Sequence, residues 1–258
     1  MLLMVEATYA VDYQQDAKMS QQKKQRQVSP TAPKKIRIDD LKVIDALTDN
    51  QTVARESWSD GDHLVLNGSA GTGKTFTALY LALQDVLDKS TPWENIHLIR
   101  SIVPTREMGF LPGTAEEKLL PFVTPYISLC EDLFTFKGAY HQLIEQEVIN
   151  FHSTSFIRGQ TFDNSIIIVD EMQNLTFHEL DSVITRLGVD SRIILCGDYY
   201  QSDFVKNADK NGLQEFLKIL ELMKNFSTIE FGWQDIVRSD FVRDYIMTKE
   251  MVQENKLH

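Results

Sequence analysis

Eight residues restrict this chain more than any others: Gly68-Ser-Ala-Gly-Thr-Gly-Lys-Thr75. Three glycines within six positions are unfavourable inside a helix or strand. Yet the segment follows a β-rich run, His63 to Asn67, and precedes a helical pattern from Lys74 to Leu87. A strand, a glycine turn and a helix at the spacing G-x-x-x-x-G-K-[ST] make a phosphate cradle. The turn aims backbone N–H groups inward and the helix N-terminus adds partial positive charge. A chance match in a chain of this composition has a probability of roughly 1% before that context is counted. Gly68, Ser69, Ala70, Gly71, Thr72, Gly73, Lys74 and Thr75 are therefore expected to bind a nucleoside triphosphate. Lys74 would bridge the outer phosphates and the Thr75 hydroxyl would take magnesium, so ATP and Mg2+ are the implied cofactors.

The rest of the chain reads as a parallel α/β sheet flanked by helices on both faces. Strands are expected at His63 to Asn67, Ile96 to Arg100, Ile166 to Val169 and Arg192 to Cys196, with weaker signals at Val148 to Phe151 and Thr228 to Phe231. Ile166-Ile-Ile-Val169 is continuously apolar, as a strand buried on both faces must be. Helical periodicity covers Gln51 to Trp58, Lys74 to Leu87, Ala115 to Phe134, Ala139 to Glu147, Phe177 to Leu187, Leu213 to Lys224 and Asp240 to Thr248. Pro121 and Pro125 are expected to break or kink the third of these.

With 258 residues, 43% of them hydrophobic, one domain with appendages is expected. Residues 1–35 are rich in Gln, Lys, Ser and Pro and read as a flexible basic arm, leaving residues 36–258 as the folded domain. The net charge of -11 hides a division: the stretch from Lys18 to Arg37 holds seven basic residues and no acid. An acidic body argues against broad coating of nucleic acid, so any such contact needs a local patch or the arm. No run approaches the ~18 apolar residues of a membrane span, and the run Met1 to Val5 is too short for a signal peptide. A cytoplasmic protein without a membrane partner is the expectation. Cys130 and Cys196 sit in apolar runs and read as core thiols rather than as a disulfide or zinc site.

A second chemical element follows the most apolar strand. Asp170-Glu171 is delivered at its C-terminal end, where open α/β sheets bind ligands. Asp170 would hold magnesium and Glu171 would orient and polarise the attacking water. A third, Leu195-Cys-Gly-Asp-Tyr-Tyr-Gln201, brings Asp198 and Gln201 to the same end of the sheet, either as a γ-phosphate sensor or as a strand terminator. Gln51, at a helix start before the first strand, either reads an adenine edge or faces solvent.

Taken with Met108-Gly-Phe-Leu-Pro-Gly113, Ile157-Arg-Gly-Gln-Thr161, Val169-Asp-Glu-Met-Gln-Asn174 and Thr185-Arg-Leu-Gly188, these motifs resemble the PhoH family over roughly residues 45 to 248. That resemblance implies an ATP-binding protein of the phosphate-starvation type, found in bacteria and phages. It also implies kinship with the first RecA-like domain of superfamily 1 helicases. On this basis Gln51 would contact adenine and Gln201 would couple to the γ-phosphate. Two departures stand out: Arg100-Ser101 where family members carry Arg-Pro, and Asp-Glu-Met-Gln in place of Asp-Glu-Ala-Gln. Neither removes a catalytic group. The first leaves the loop from Arg100 to Gly113 open between an RNA-contacting role and a surface loop packed by Phe110 and Leu111.

Only 57 residues follow Gln201, fewer than the ~100 a second RecA-like domain needs. The arginine that commonly stabilises phosphoryl transfer is therefore expected in trans, from a neighbour in a head-to-tail ring, with six subunits usual for RecA-like motors. Arg238, in a segment resembling the family's Asp-Val-Val-Arg-His, is the first candidate, with an ion pair to Asp235 or Asp240 as the alternative role; Arg186, Arg158 and Arg106 follow. The expected activity is that of an ATPase motor on single-stranded RNA or DNA, with loops such as Val103 to Gly113 lining the pore. An ATP-dependent oligomeric switch recruiting a partner such as a nuclease through the arm competes with it, and a small-molecule kinase is a third class.

Overall fold

The computed structural model describes residues 35–101, 115–154, 157, 159–198 and 207–254. The basic arm, the loop from Val103 to Gly113, Arg106, Arg158 and Gln201 lie outside the described residues. Contacts divide the chain between Lys35 and Ile36, and the fold below is that of Ile36–His258.

Six parallel strands form one sheet: β1 (His63–Gly68), β2 (Asn95–Arg100), β3 (Ile149–Ser153), β4 (Ser165–Asp170), β5 (Arg192–Gly197) and β6 (Phe226–Phe231). They lie in the order β3-β2-β4-β5-β1-β6. Helices α1 (Asp49–Ser59), α2 (Lys74–Leu87), α3 (Ala115–Leu133), α4 (Ala139–Glu145), α5 (Phe177–Ile184), α6 (Asn207–Glu221) and α7 (Asp240–Glu254) complete the domain.

Side-chain alternation sorts the strands into two cores. Leu64 and Leu66 of β1, Ile166 and Ile168 of β4, and Ile194 and Cys196 of β5 pack with Ala54, Leu79, Leu83, Tyr126 and Leu143 from α1 to α4. Val65, Ile167, Val169, Ile193 and Leu195 face the other way, against Leu180 and Val183 of α5 and Leu213 and Phe216 of α6. All six residues of β4 are buried, and each fully buried aliphatic side chain contributes ~2 kcal/mol. Both cysteines are buried thiols.

Helix α3 runs through Pro121 and Pro125 as one element, so of the expected break or kink the break does not occur. The two prolines are one turn apart, so the ladder loses donors on one side only. Tyr126, Cys130 and Leu133, all fully buried, follow the i, i+4, i+7 stripe that anchors the helix to the sheet. Helix α5 stops at Ile184 instead of Leu187 because the next residues pair elsewhere: the Phe162 amide donates to the Arg186 carbonyl, and the Gly188 amide to the Phe162 carbonyl. Helices α6 and α7 extend beyond their apolar patterns into polar sequence that carries no periodic signal.

The strand order has one consequence for function. Strands β4, β5 and β1 are neighbours and parallel, so Asp170, Asp198 and the glycine-rich turn come together at one end of the sheet.

Candidate functional site

The turn after β1 closes onto α2 with Gly68, Gly71 and Gly73 all at positive φ. A β-carbon on Gly68 would collide with the carbonyl of Phe231 in β6, so the first glycine is demanded by the neighbouring strand as well as by the turn. The Lys74 ammonium curls back and donates to the carbonyls of Gly68 (2.7 Å) and Ser69 (2.6 Å). Burial lowers its pKa, opposed by the negative charges of Asp198, Glu171 and Asp170. A lysine surrounded by acids and carbonyls is a cation held ready for phosphate oxygens.

Asp170 has the strand parity of Ile168, which points it toward α2 and α3. There its Oδ1 accepts a hydrogen bond from the Thr75 hydroxyl (2.8 Å) and its Oδ2 one from the buried Tyr126 hydroxyl (2.8 Å). A hydroxyl and a carboxylate in contact, opening onto a phosphate cradle, fit magnesium, which is held by one or two such oxygens plus substrate phosphates.

The next residue takes the backbone out of the strand. Glu171 adopts the left-handed conformation, φ 53° and ψ 45°, at a cost of ~1–2 kcal/mol for a residue with a β-carbon. Its carboxylate, 41% exposed, faces the cleft, 4.0 Å from the Arg100 guanidinium. The Gln173 amide nitrogen donates to Glu171 Oε2, while Gln173 Oε1 accepts from the Asp198 backbone amide at 3.0 Å. Gln173, 3% exposed, thus links the ends of β4 and β5.

Gln51 does not face solvent. It is 4% exposed, its amide donates to the Thr72 carbonyl (3.0 Å) and its oxygen accepts from the Leu47 amide (2.9 Å). It braces the phosphate loop from outside, and an adenine contact would have to use its second amide hydrogen and second lone pair.

From the C-terminal side, the Val237 amide donates to the Gly71 carbonyl (3.0 Å), and the Ser69 hydroxyl donates to Glu250 of α7 (2.9 Å). Glu250 also accepts from the Trp233 indole at 2.6 Å. Arg238 lies against this loop: a β-carbon on Gly71 would sit 3.0 Å from its Cγ and 3.5 Å from its Nε. Asp235, expected along with Asp240 as an ion-pair partner, accepts hydrogen bonds from Asn50 and from the Gly232 amide. The stem of Arg238 therefore crosses its own phosphate loop, and its side chain lines the cleft.

Lys74, Thr75, Arg100, Asp170, Glu171, Gln173, Asp198 and Arg238 line one cleft of about 710 Å³, closed on the far side by Pro125, Ser128, Leu129 and Asp132 of α3. That volume suits a nucleotide-sized ligand. Sequence reasoning identified the cradle and the acid pair but assigned no role to Gln173, Tyr126 or Glu250. Gln173 carried a signal in the Asp-Glu-x-Gln spacing; Tyr126 and Glu250 carried none.

The chain is 37% identical over 185 residues to a PhoH-like protein of Synechocystis, covering 71% of this chain and 55% of that one. It is 35% identical over 182 residues to one of Bacillus subtilis, covering 69% and 55%. The chain spans about half the length of the curated relatives it matches. Among solved structures, the large terminase of the thermophilic bacteriophage D6E with ADP aligns at a TM-score of 0.45 and 15% identity, covering 77% of this chain and 48% of the terminase. The Pif1 helicase of Candida albicans aligns at 0.37 and 17%, covering 77% and 43%. The model of the PhoH-like protein family matches residues 43–250, which takes in every strand of the sheet and both carboxylates of the Asp170-Glu171 pair, and the chain belongs to that family.

Proposed function

We propose that the chain hydrolyses ATP with magnesium as one protomer of a head-to-tail ring, six subunits being the usual number, that acts on single-stranded RNA or DNA. The observation that carries the hydrolytic part is the delivery of Asp170 against Thr75, with Glu171 beside it, at the ends of three adjacent parallel strands. Thr75 and Asp170 would hold magnesium, which would supply positive charge to the phosphoryl oxygens. Lys74 exchanges its loop carbonyls for phosphate oxygens. Glu171, held by Gln173 and Arg100, orients the attacking water and accepts its proton. An arginine supplied in trans by the neighbouring protomer stabilises the transferred phosphoryl group; Arg238 is the first candidate, with Arg186, Arg158 and Arg106 as alternatives.

The strongly acidic body of a chain whose net charge is -11 favours a second reading. In it the ring is an ATP-dependent switch that recruits a partner, such as a nuclease, through the basic arm and does not translocate.

Two measurements separate these readings: ATP turnover with and without single-stranded RNA or DNA, and particle mass with and without ATP. Several-fold stimulation by the strand in an ATP-dependent ring supports the motor. An unchanged slow rate in the same ring supports the switch. A particle that stays monomeric in both states refutes assembly into a ring.

A further inference from the structure

One wall of the cleft belongs to an element that neither the loop nor the acid pair accounts for. Helix α3 brings Tyr126, fully buried, to Asp170 Oδ2, while Thr75 occupies Oδ1. Both oxygens of the metal-binding carboxylate are thus fixed, one from the phosphate loop and one from α3. The tyrosine hydroxyl is the donor in this pair. Arg100 lies within hydrogen-bonding reach of the same hydroxyl. The same Arg100 is 4.0 Å from Glu171 and its guanidinium carbon is 6.0 Å from the centre of the Phe122 ring, also on α3. The path Thr75, Asp170, Tyr126, Arg100, Glu171 therefore joins the metal-binding group to the water-orienting group, and α3 supplies its centre.

We infer that Tyr126 is a positioning residue for magnesium capture at Asp170 and that Arg100 ties it to Glu171, which makes α3 the element that sets both carboxylates together. This rests on the nucleotide-binding reading of the site. A carboxylate pinned at Oδ2 by Tyr126 presents Oδ1, beside the Thr75 hydroxyl, in a fixed direction, and outer partners of this kind are worth ~10–100-fold in metal affinity. A purely structural tyrosine would contribute to folding without altering what magnesium adds to nucleotide binding.

The test measures binding of the fluorescent analogue mant-ATP by anisotropy, in EDTA and in magnesium. Wild type is expected to bind more tightly in magnesium. Tyr126→Phe keeps the ring packing against Phe151 and should bind within about twofold of wild type in EDTA, while the gain from magnesium falls about tenfold. Arg100→Gln, at the cleft surface, should reduce that gain at least about threefold and decides the matter if Tyr126→Phe does not fold. Undiminished gains in both variants, or in Arg100→Gln where Tyr126→Phe does not fold, overturn the inference. Failure of wild type to bind mant-ATP in either buffer would instead overturn the nucleotide site itself.

Discussion

Acid should unfold this domain through a pair of histidines remote from the cleft. His97 of β2 and His152 of β3 meet at 2.9 Å, Nδ1 to Nε2, and the Phe162 ring stands 4.3 Å from His97. Burial, then the neighbouring His152, lowers the His97 pKa from 6.5 to about 4, and burial lowers that of His152. Because the folded-state values lie below the unfolded ones, the unfolded chain binds more protons between those limits. The stabilisation is complete above pH 6.5 and is lost as pH falls toward 4. For His97 the full gap corresponds to roughly 3 kcal/mol before screening by water is counted. The share lost on going from pH 8 to pH 5 is at most about 2 kcal/mol, since the ring is partly exposed and water screens it. Urea unfolding followed by tryptophan fluorescence at the two pH values measures the total loss, carboxylates included. Repeating it on His97→Phe, which keeps an aromatic ring beside Phe162, isolates the imidazole. The variant should lose up to about 2 kcal/mol less than wild type over this interval. Equal losses in the two proteins would show that the folded state does not resist protonation of His97.

Two further substitutions test the cleft directly, each readable by nucleotide binding and steady-state turnover. Lys74→Ala should abolish nucleotide binding, whereas Glu171→Gln should leave it within about twofold while slowing turnover ~10²–10⁴-fold; equal turnover in Glu171→Gln and wild type would remove Glu171 from the chemistry. A packing test comes from Gly68→Ala, which forces a β-carbon onto the Phe231 carbonyl at positive φ and should destabilise the domain by about 3 kcal/mol in urea unfolding. An unaltered midpoint would show that β6 moves aside freely.

The groups expected to touch the ligand were legible because they are local. A strand, a turn and a helix within two dozen residues specify the cradle, and four consecutive β-branched residues specify a strand buried on both faces that must end in Asp170. Residues 115–133 were harder, because proline chemistry and a buried stripe give opposite signals and only packing against the sheet decides between them. Tyr126 was illegible for a related reason: its role depends on α3 crossing the end of β4, a relation between residues 44 positions apart. The contact of Arg238 with Gly71 was illegible for the same reason: a sequence shows that an arginine follows β6 but not that the chain then turns back over its own loop.

The same distinction alters how the glycines themselves are understood. Phosphate binding explains why the loop must offer backbone N–H groups, but each glycine also faces a residue from a distant segment. Gly68 faces Phe231, Gly71 faces Arg238, and a β-carbon on Gly73 would lie 3.0 Å from the Gln51 amide. Three side chains' worth of space is therefore occupied by braces from both sides of the loop in sequence. The Val237 amide and Glu250 add hydrogen bonds from the same C-terminal segment. A loop made only of flexible residues would lose conformational entropy each time it closed on phosphate. Here the braces have already fixed it, so the glycine spacing serves two requirements that coincide: open N–H groups toward the ligand and room for the residues that hold those groups still.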